Sequence, residues 1–161
     1  MNLKELYILL ADDDMDDCLF FREAVEELVV TTKLITVHDG EQLMNLLINE
    51  NSALPDVLFL DINMPRKNGF DCLSEIKLSP KLRMLPVIMF STSFEQEVVN
   101  MLHQNGAQHF IRKPSEFSQF KKIIQQTLKI IALDLDGGKA ESLTPSLREN
   151  FVITVDNSTI S

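Results

Sequence analysis

Cysteine is scarce in this chain: there are two, with no CxxC pairing. Cys18 and Cys72 offer neither a disulfide framework nor a thiolate metal site, and both fit as packing residues of a reduced compartment. Basic residues are also few, with 15 Lys and Arg against 24 Asp and Glu and a formal charge of −9. That balance repels phosphate backbones. The densest basic pairs, Arg66-Lys67 and Lys121-Lys122, are too small to reverse it, so no nucleic acid is expected as a partner. Long apolar runs are missing as well. Val57 to Leu60 and Val87 to Phe90 fall far short of the ~20 residues that span a bilayer, and the N-terminal apolar stretch meets acids too early for a secretory signal. No membrane contact and a cytoplasmic location are therefore expected. What remains is 161 residues, 45% hydrophobic and 24% charged, the size and make-up of one folded domain.

Hydrophobic periodicity orders the elements. Leu6 to Ala11 is a continuous apolar run that stops at acids, the pattern of a strand buried on both faces. From Asp16 to Val30, Leu19, Phe20, Ala24, Val25 and Leu28 recur at helical spacing with charged residues between them. Lys33 to Val37 reads as a second strand, and Glu41 to Ile48 as a helix capped at Asp39-Gly40. Val57 to Leu60 is a buried strand closed by Asp61, and Asn63 to Gly69 is a loop rich in turn formers. A helix from Phe70 to Leu78 stops before Pro80, and Pro86 opens the strand Val87 to Phe90, which ends at Ser91-Thr92-Ser93. Phe94 to Gln104 is helical, His109 to Ile111 a strand stopped by Lys113-Pro114, and Phe117 to about Leu133 a last amphipathic helix.

Five strands alternating with five helices predict a three-layer, doubly wound parallel α/β sheet of flavodoxin-like (βα)5 type, with strand order 2-1-3-4-5. Residues 1–133 form that domain. Residues 134–161 read as a linker and tail, within which Phe151 to Val155 has the propensity to add a short strand to a sheet edge or a neighbour.

Ligands of such sheets bind beyond the carboxyl ends of the strands, at the switch point between strands one and three. The residues arriving there are Asp12, Asp13 and Asp14 after strand one, Asp61 and Asn63 after strand three, Ser91 after strand four and Lys113 after strand five. Each is commonplace alone: an acidic run is usually a solvated turn or a helix cap, and Lys-Pro a strand stop. Together they are not. Placing the carboxylates of Asp12, Asp13 and Asp61 within ~4 Å of one another costs about 4 kcal/mol per pair at an effective dielectric near 20, so the cluster calls for a cation. A hard divalent ion, Mg²⁺ above all, suits oxygen ligands and leaves positions for a phosphate oxygen. Lys113 adds a point charge for phosphate and Ser91 a hydroxyl donor. These parts make a phosphoryl-transfer site with Asp61 as the attacking carboxylate and Asp12 and Asp13 as metal ligands. Asn63 would give its backbone carbonyl to the metal and its side chain to the approach of water, which Ser93 is also placed to tune.

The set Ala11-Asp-Asp-Asp14, Phe59-Leu-Asp-Ile-Asn-Met-Pro65, Ser91-Thr-Ser93 and Lys113-Pro114 resembles the motifs of the two-component response-regulator receiver domain, of the chemotaxis type, over about residues 5 to 131. The resemblance implies that a histidine kinase or phosphotransfer protein donates a phosphoryl group to Asp61 with Mg²⁺ required. It further implies that Ser91 and Phe110 rearrange on phosphorylation, remodelling a surface around strand four, helix four and strand five, and that the Lys113–Pro114 bond is cis. A homodimer through the helix-four, strand-five, helix-five face is suggested by the same analogy. Ser91 stands where the family often has Thr, which keeps the hydroxyl. Phe110 stands where it often has Tyr, and simple core packing explains a Phe there equally well. The Arg66-Lys67-Asn68-Gly69 loop resembles stand-alone receivers, including those paired with phytochrome-type kinases.

The expected function is thus a single-domain response regulator of a phosphorelay, catalysing only its own phosphorylation and dephosphorylation and switching a surface for an unknown downstream protein. Two other classes compete. A phosphohydrolase with an Asp nucleophile would favour an acid two residues on, where Asn63 stands, and a larger substrate cap. A receiver-like protein that merely binds partners would have no need of the full charged set.

Overall fold

The computed structural model describes residues 5–135 and 151–154. Strands β1 (Leu6–Ala11), β2 (Thr32–Val37), β3 (Val57–Asp61), β4 (Val87–Ser91), β5 (His109–Arg112) and β6 (Val152–Ile153) form one sheet in the order β2-β1-β3-β4-β5-β6. All five pairings are parallel. Five of the strands take the order expected from the sequence, and β6 adds a two-residue rung on β5. Residues 136–150 and 155–161, which hold the rest of the expected tail and the last residue of the expected strand, lie outside the described residues.

Strands β3 and β4 are buried at every position, as expected of central strands covered on both faces. Helices α1 (Met15–Glu26) and α5 (Phe117–Leu135) cover one face, where Phe21, Phe59, Phe90 and Phe120 pack with ring centroids 4.9–6.4 Å apart. Helices α2 (Gly40–Ile48), α3 (Gly69–Leu78) and α4 (Gln96–Gln104) cover the other over Leu9, Leu58, Leu60, Val87 and Met89. The edge-to-face and tilted phenylalanine pairs under α1 and α5 add about 0.5–1.5 kcal/mol each beyond the area they bury.

Several helix boundaries shift from the periodic pattern, and the end of α1 and the start of α4 do so for local reasons. α1 ends at Glu26 rather than Val30, because the Val29-Val30-Thr31-Thr32 run that follows is β-branched and poor at propagating a helix; Val29 is left fully exposed. α4 begins at Gln96 rather than Phe94, whose ring turns instead against Phe110 at 5.8 Å. Asp14, Asp39 and Asn68 cap α1, α2 and α3, each accepting a first-turn amide.

The last strand is held from three sides. Phe110 donates its amide to the Phe151 carbonyl at 2.9 Å, and Ile153 enters the core under α1 and α5. The Phe151 ring stacks on His103 of α4 with centroids 4.3 Å apart.

Candidate functional site

Parallel pairing brings neighbouring strand ends to one edge, and the register decides what meets there. Asp12 follows β1 directly, Asp61 and Ser91 are the last residues of β3 and β4, and Lys113 follows β5. Asp61 lies level with Phe90, one residue before Ser91, and Ser91 lies level with Arg112, one before Lys113. The Lys113 amide donates to the Ser91 carbonyl at 2.7 Å, which fixes the height of the lysine.

Carboxylate oxygens of Asp12, Asp13 and Asp61 all lie within 4.8 Å of one another. Asp12 and Asp61 are buried and Asp13 is exposed. Asp12 is anchored from behind: its amide donates to Val37, its carbonyl accepts from His38 Nδ1 at 3.1 Å, and its Oδ1 accepts the Asp14 amide at 2.9 Å. The Asn63 amide donates to Asp61 Oδ1 at 3.2 Å. Gly69 lets the loop from β3 to α3 close tightly. A Cβ there would stand 2.4 Å from the Asp61 carbonyl oxygen, so only glycine lets α3 start against the end of β3.

Among the described residues, the single ammonium inside the cluster belongs to Lys113. Its Nζ lies 2.8 Å from Asp12 Oδ2, 2.8 Å from Asp17 Oδ2 and 3.6 Å from Asp61 Oδ2, and 4.9 Å from the Phe90 ring. Burial opposes the charge on Lys113, but Asp12 and Asp61 outweigh it and push its pKa above the ordinary lysine value. Asp61 goes the other way for a carboxylate. Burial first, and the Asp12 charge after it, overcome the help of Lys113 and the Asn63 amide and push the Asp61 carboxyl up to about 7. The site has more anionic oxygen than its one ammonium can balance.

Ser91 is buried, and its Oγ accepts the Ser93 amide at 3.1 Å. Phe110 is buried in the core under α2, α3 and α4, its ring edge against Phe94. The Lys113–Pro114 bond is trans, as is every described peptide bond, which corrects the expected cis form. Trans is the default for X-Pro by about 0.5–1 kcal/mol, and with it Nζ already reaches Asp12 and Asp17. Cys18 and Cys72 are free and buried, their thiols pushed up to about 12 and about 11 by desolvation.

Sequence reasoning passed over two residues of this constellation. Asp17 was legible: it stands four residues before the buried Phe21, on the inward stripe of α1. His38 also follows a strand at the same edge.

Residues 8–125 match the response regulator receiver domain family. Response regulator Rcp1 of Synechocystis sp. is 30% identical over 122 residues, 73% of this chain and 83% of the relative. Among solved structures, the phosphorylated cyanobacterial phytochrome response regulator RcpA superposes with a TM-score of 0.77 at 28% identity, over 80% of this chain and 95% of the other. The Mn²⁺-bound form of Rcp1 gives 0.72 at 26% identity, over 86% and 97%.

Proposed function

Because this chain belongs to the response regulator receiver domain family, we propose that Asp61 accepts a phosphoryl group from a histidine kinase or phosphotransfer protein, and that its phosphorylation switches a surface for a downstream protein. One observation carries this reading: the carboxylates of Asp12, Asp13 and Asp61 converge within 4.8 Å beside a lysine whose Nζ is 3.6 Å from Asp61. As in other α/β sheets, the convergence lies beyond the strand ends.

The residues present fit a hard divalent cation, for which we take Mg²⁺: three carboxylates face one ammonium, the donors are all oxygen, and burial, with the Asp12 charge after it, drives Asp61 toward protonation. Asp12, Asp13, Asp61 and the backbone carbonyl of Asn63 would hold it. When bound, it neutralises carboxylate charge and draws phosphoryl oxygens toward the acids. The Mn²⁺ in the Rcp1 structure supports a divalent site in that relative.

The protein's own groups then divide the work. An Asp61 carboxylate oxygen forms the new P–O bond in line as the donor's P–N bond breaks and the imidazole nitrogen leaves with the electron pair. Lys113 offers an N–H to a phosphoryl oxygen, as a point charge that needs no fixed plane. Ser91 is a hydroxyl donor at the same edge, while Asn63 and Ser93 flank the approach of hydrolytic water. A shift in which Ser91 and Phe110 turn toward the phosphoryl group would carry the signal outward, because phosphate biases a two-state equilibrium only through contacts that differ between the states. The face of α4, β5 and α5 is the proposed surface for the downstream partner or a second copy. Since β6 lies on β5, either would have to accommodate that strand. A cytoplasmic site of action accords with no described helix being long and apolar enough to cross a membrane.

Incubation with acetyl phosphate and Mg²⁺ is expected to leave a hydroxylamine-labile phosphoryl adduct on Asp61, located by mass spectrometry. An Asp61→Asn variant that still gains phosphate to the same extent would overturn the assignment. Steady turnover of small phosphate esters would point instead to a hydrolase.

A further inference from the structure

Asp17 has no part in the scheme above, yet it makes as short a contact with Lys113 as Asp12 does, 2.8 Å in each case. Its position follows from the helix start. Asp17 is the third residue of α1 after the Asp14 cap, where an acidic side chain commonly turns back to bond the cap's own amide. Here that amide is already taken by Asp12 Oδ1 at 2.9 Å. The Asp17 carboxylate therefore extends inward and meets the lysine, and it is only 19% exposed.

Consider what this does to Lys113. An ammonium has three N–H donors. Two are spent on Asp12 and Asp17, and the distance of 3.6 Å to Asp61 is beyond hydrogen-bond range. Both strong partners stand on the β1–α1 side, so they draw Nζ away from the end of β3. A phosphoryl group on Asp61 brings roughly −1.5 to −2 of charge and three acceptor oxygens into reach of that ammonium. The third N–H can meet it directly, but a second bond from Lys113, or a full approach of Nζ to the end of β3, takes a donor from one of the two acids. Asp12 is fully buried and holds its place by several bonds, whereas Asp17 meets solvent and can be rehydrated. Asp17 is the partner that gives way.

We propose that Asp17 is a positioning residue that holds Lys113 aside from Asp61 in the resting protein and competes with the phosphoryl group for it, shortening the life of the phosphorylated state. The proposal rests on the reading of Asp61 as phosphoacceptor. Loss of the competitor removes one charge-assisted hydrogen bond from the resting state alone, and its sign is opposite to that of damage: the modified state should gain.

Four proteins test it: wild type, Asp17→Asn, Asp17→Glu and Asp16→Asn, the last removing an exposed acid one residue away that does not touch Lys113. Two readouts are used, the affinity for beryllofluoride with Mg²⁺ by calorimetry and the half-life of the acetyl-phosphate-derived adduct. Asp17→Asn is expected to bind beryllofluoride about tenfold more tightly, equivalent to about 1.4 kcal/mol, and to keep its phosphoryl group longer by a similar factor. Asp17→Glu, which retains the ion pair, should stay near wild type, and Asp16→Asn within about twofold of it. Unchanged or weaker binding in Asp17→Asn overturns the proposal, as does an equal gain in Asp16→Asn. Should circular dichroism show Asp17→Asn unfolded, Asp17→Ser takes its place under the same criteria. A wild type that takes up neither ligand at Asp61 overturns the phosphoacceptor reading too, whereas failure confined to the variants overturns the role of Asp17 alone.

Discussion

Replacing the proposed phosphoacceptor should make the metal-free protein more stable, and increasingly so as pH rises. In the fold Asp61 titrates near about 7, against an ordinary value of 3.8, because burial and the Asp12 carboxylate both disfavour its charge. Between those values the folded protein holds a proton that the unfolded chain has released, so stability declines as pH climbs through the window and levels off above it. At pH 5 folded Asp61 is largely neutral and resembles asparagine. By pH 8 it is ionised beside Asp12. The about two pH units from pH 5 to the native midpoint contribute 1.36 kcal/mol each, so the advantage of Asp61→Asn over wild type should widen by at most ~3 kcal/mol. Water screens part of this, and about 1–3 kcal/mol is the expected widening. The chain has no Trp and one Tyr, so urea unfolding is best followed by circular dichroism, in chelator at both pH values. With a slope of about 2 kcal/mol per molar urea, the gap between midpoints should grow by about 0.5–1.5 M. A gap that stays constant or shrinks from pH 5 to pH 8 would show that Asp61 is not crowded by negative charge, and the case for a cation would go with it.

Millimolar Mg²⁺ at pH 8 should raise the melting temperature of wild type and leave that of Asp61→Asn nearly unmoved, since a ligand stabilises only the form that binds it. Lys113→Ala removes the ammonium from between two buried carboxylates and should cost about 3–5 kcal/mol at pH 8 by urea unfolding without metal, while abolishing stable phosphorylation. Gly69→Ala would drive a methyl to 2.4 Å from the Asp61 carbonyl oxygen, and a slowed phosphorylation rate in a protein with a normal far-ultraviolet spectrum is expected. Phe59→Ala empties a fully buried position between Phe21 and Phe90 and should cost about 3–5 kcal/mol, read as a fall in the urea midpoint.

The elements were legible because their signals are physical limits rather than preferences. Runs such as Val57 to Leu60 and Val87 to Phe90 are too short for a buried helix and are bounded by turn formers, so they read as strands covered on both faces, and the acids or hydroxyls that end them mark where cover stops. The convergence of Asp12, Asp13, Asp61, Ser91 and Lys113 on one edge then follows from parallel topology alone. What escaped notice depends on three-dimensional competition. Spacing puts Asp17 on the inward stripe of α1, but that it meets Lys113 rather than the Asp14 amide depends on Asp12 having taken that amide. The end of α1 escaped because Val29 and Val30 continue the apolar rhythm while their branched side chains resist the helix. The docking of Val152 and Ile153 on β5 was among the placements expected of Phe151 to Val155; which edge takes the strand was not legible, because it involves Phe151 meeting His103, far away in sequence.

The two-residue strand beside β5 also bears on colloidal behaviour. A bare β5 would show solvent a row of open amides and carbonyls next to apolar side chains, an invitation to cross-chain templating. With Val152 and Ile153 seated there, the outermost rung among the described residues is too brief to nucleate a growing ladder. Deleting those few residues should therefore lower the concentration at which the protein first scatters light, well before any loss of helix content.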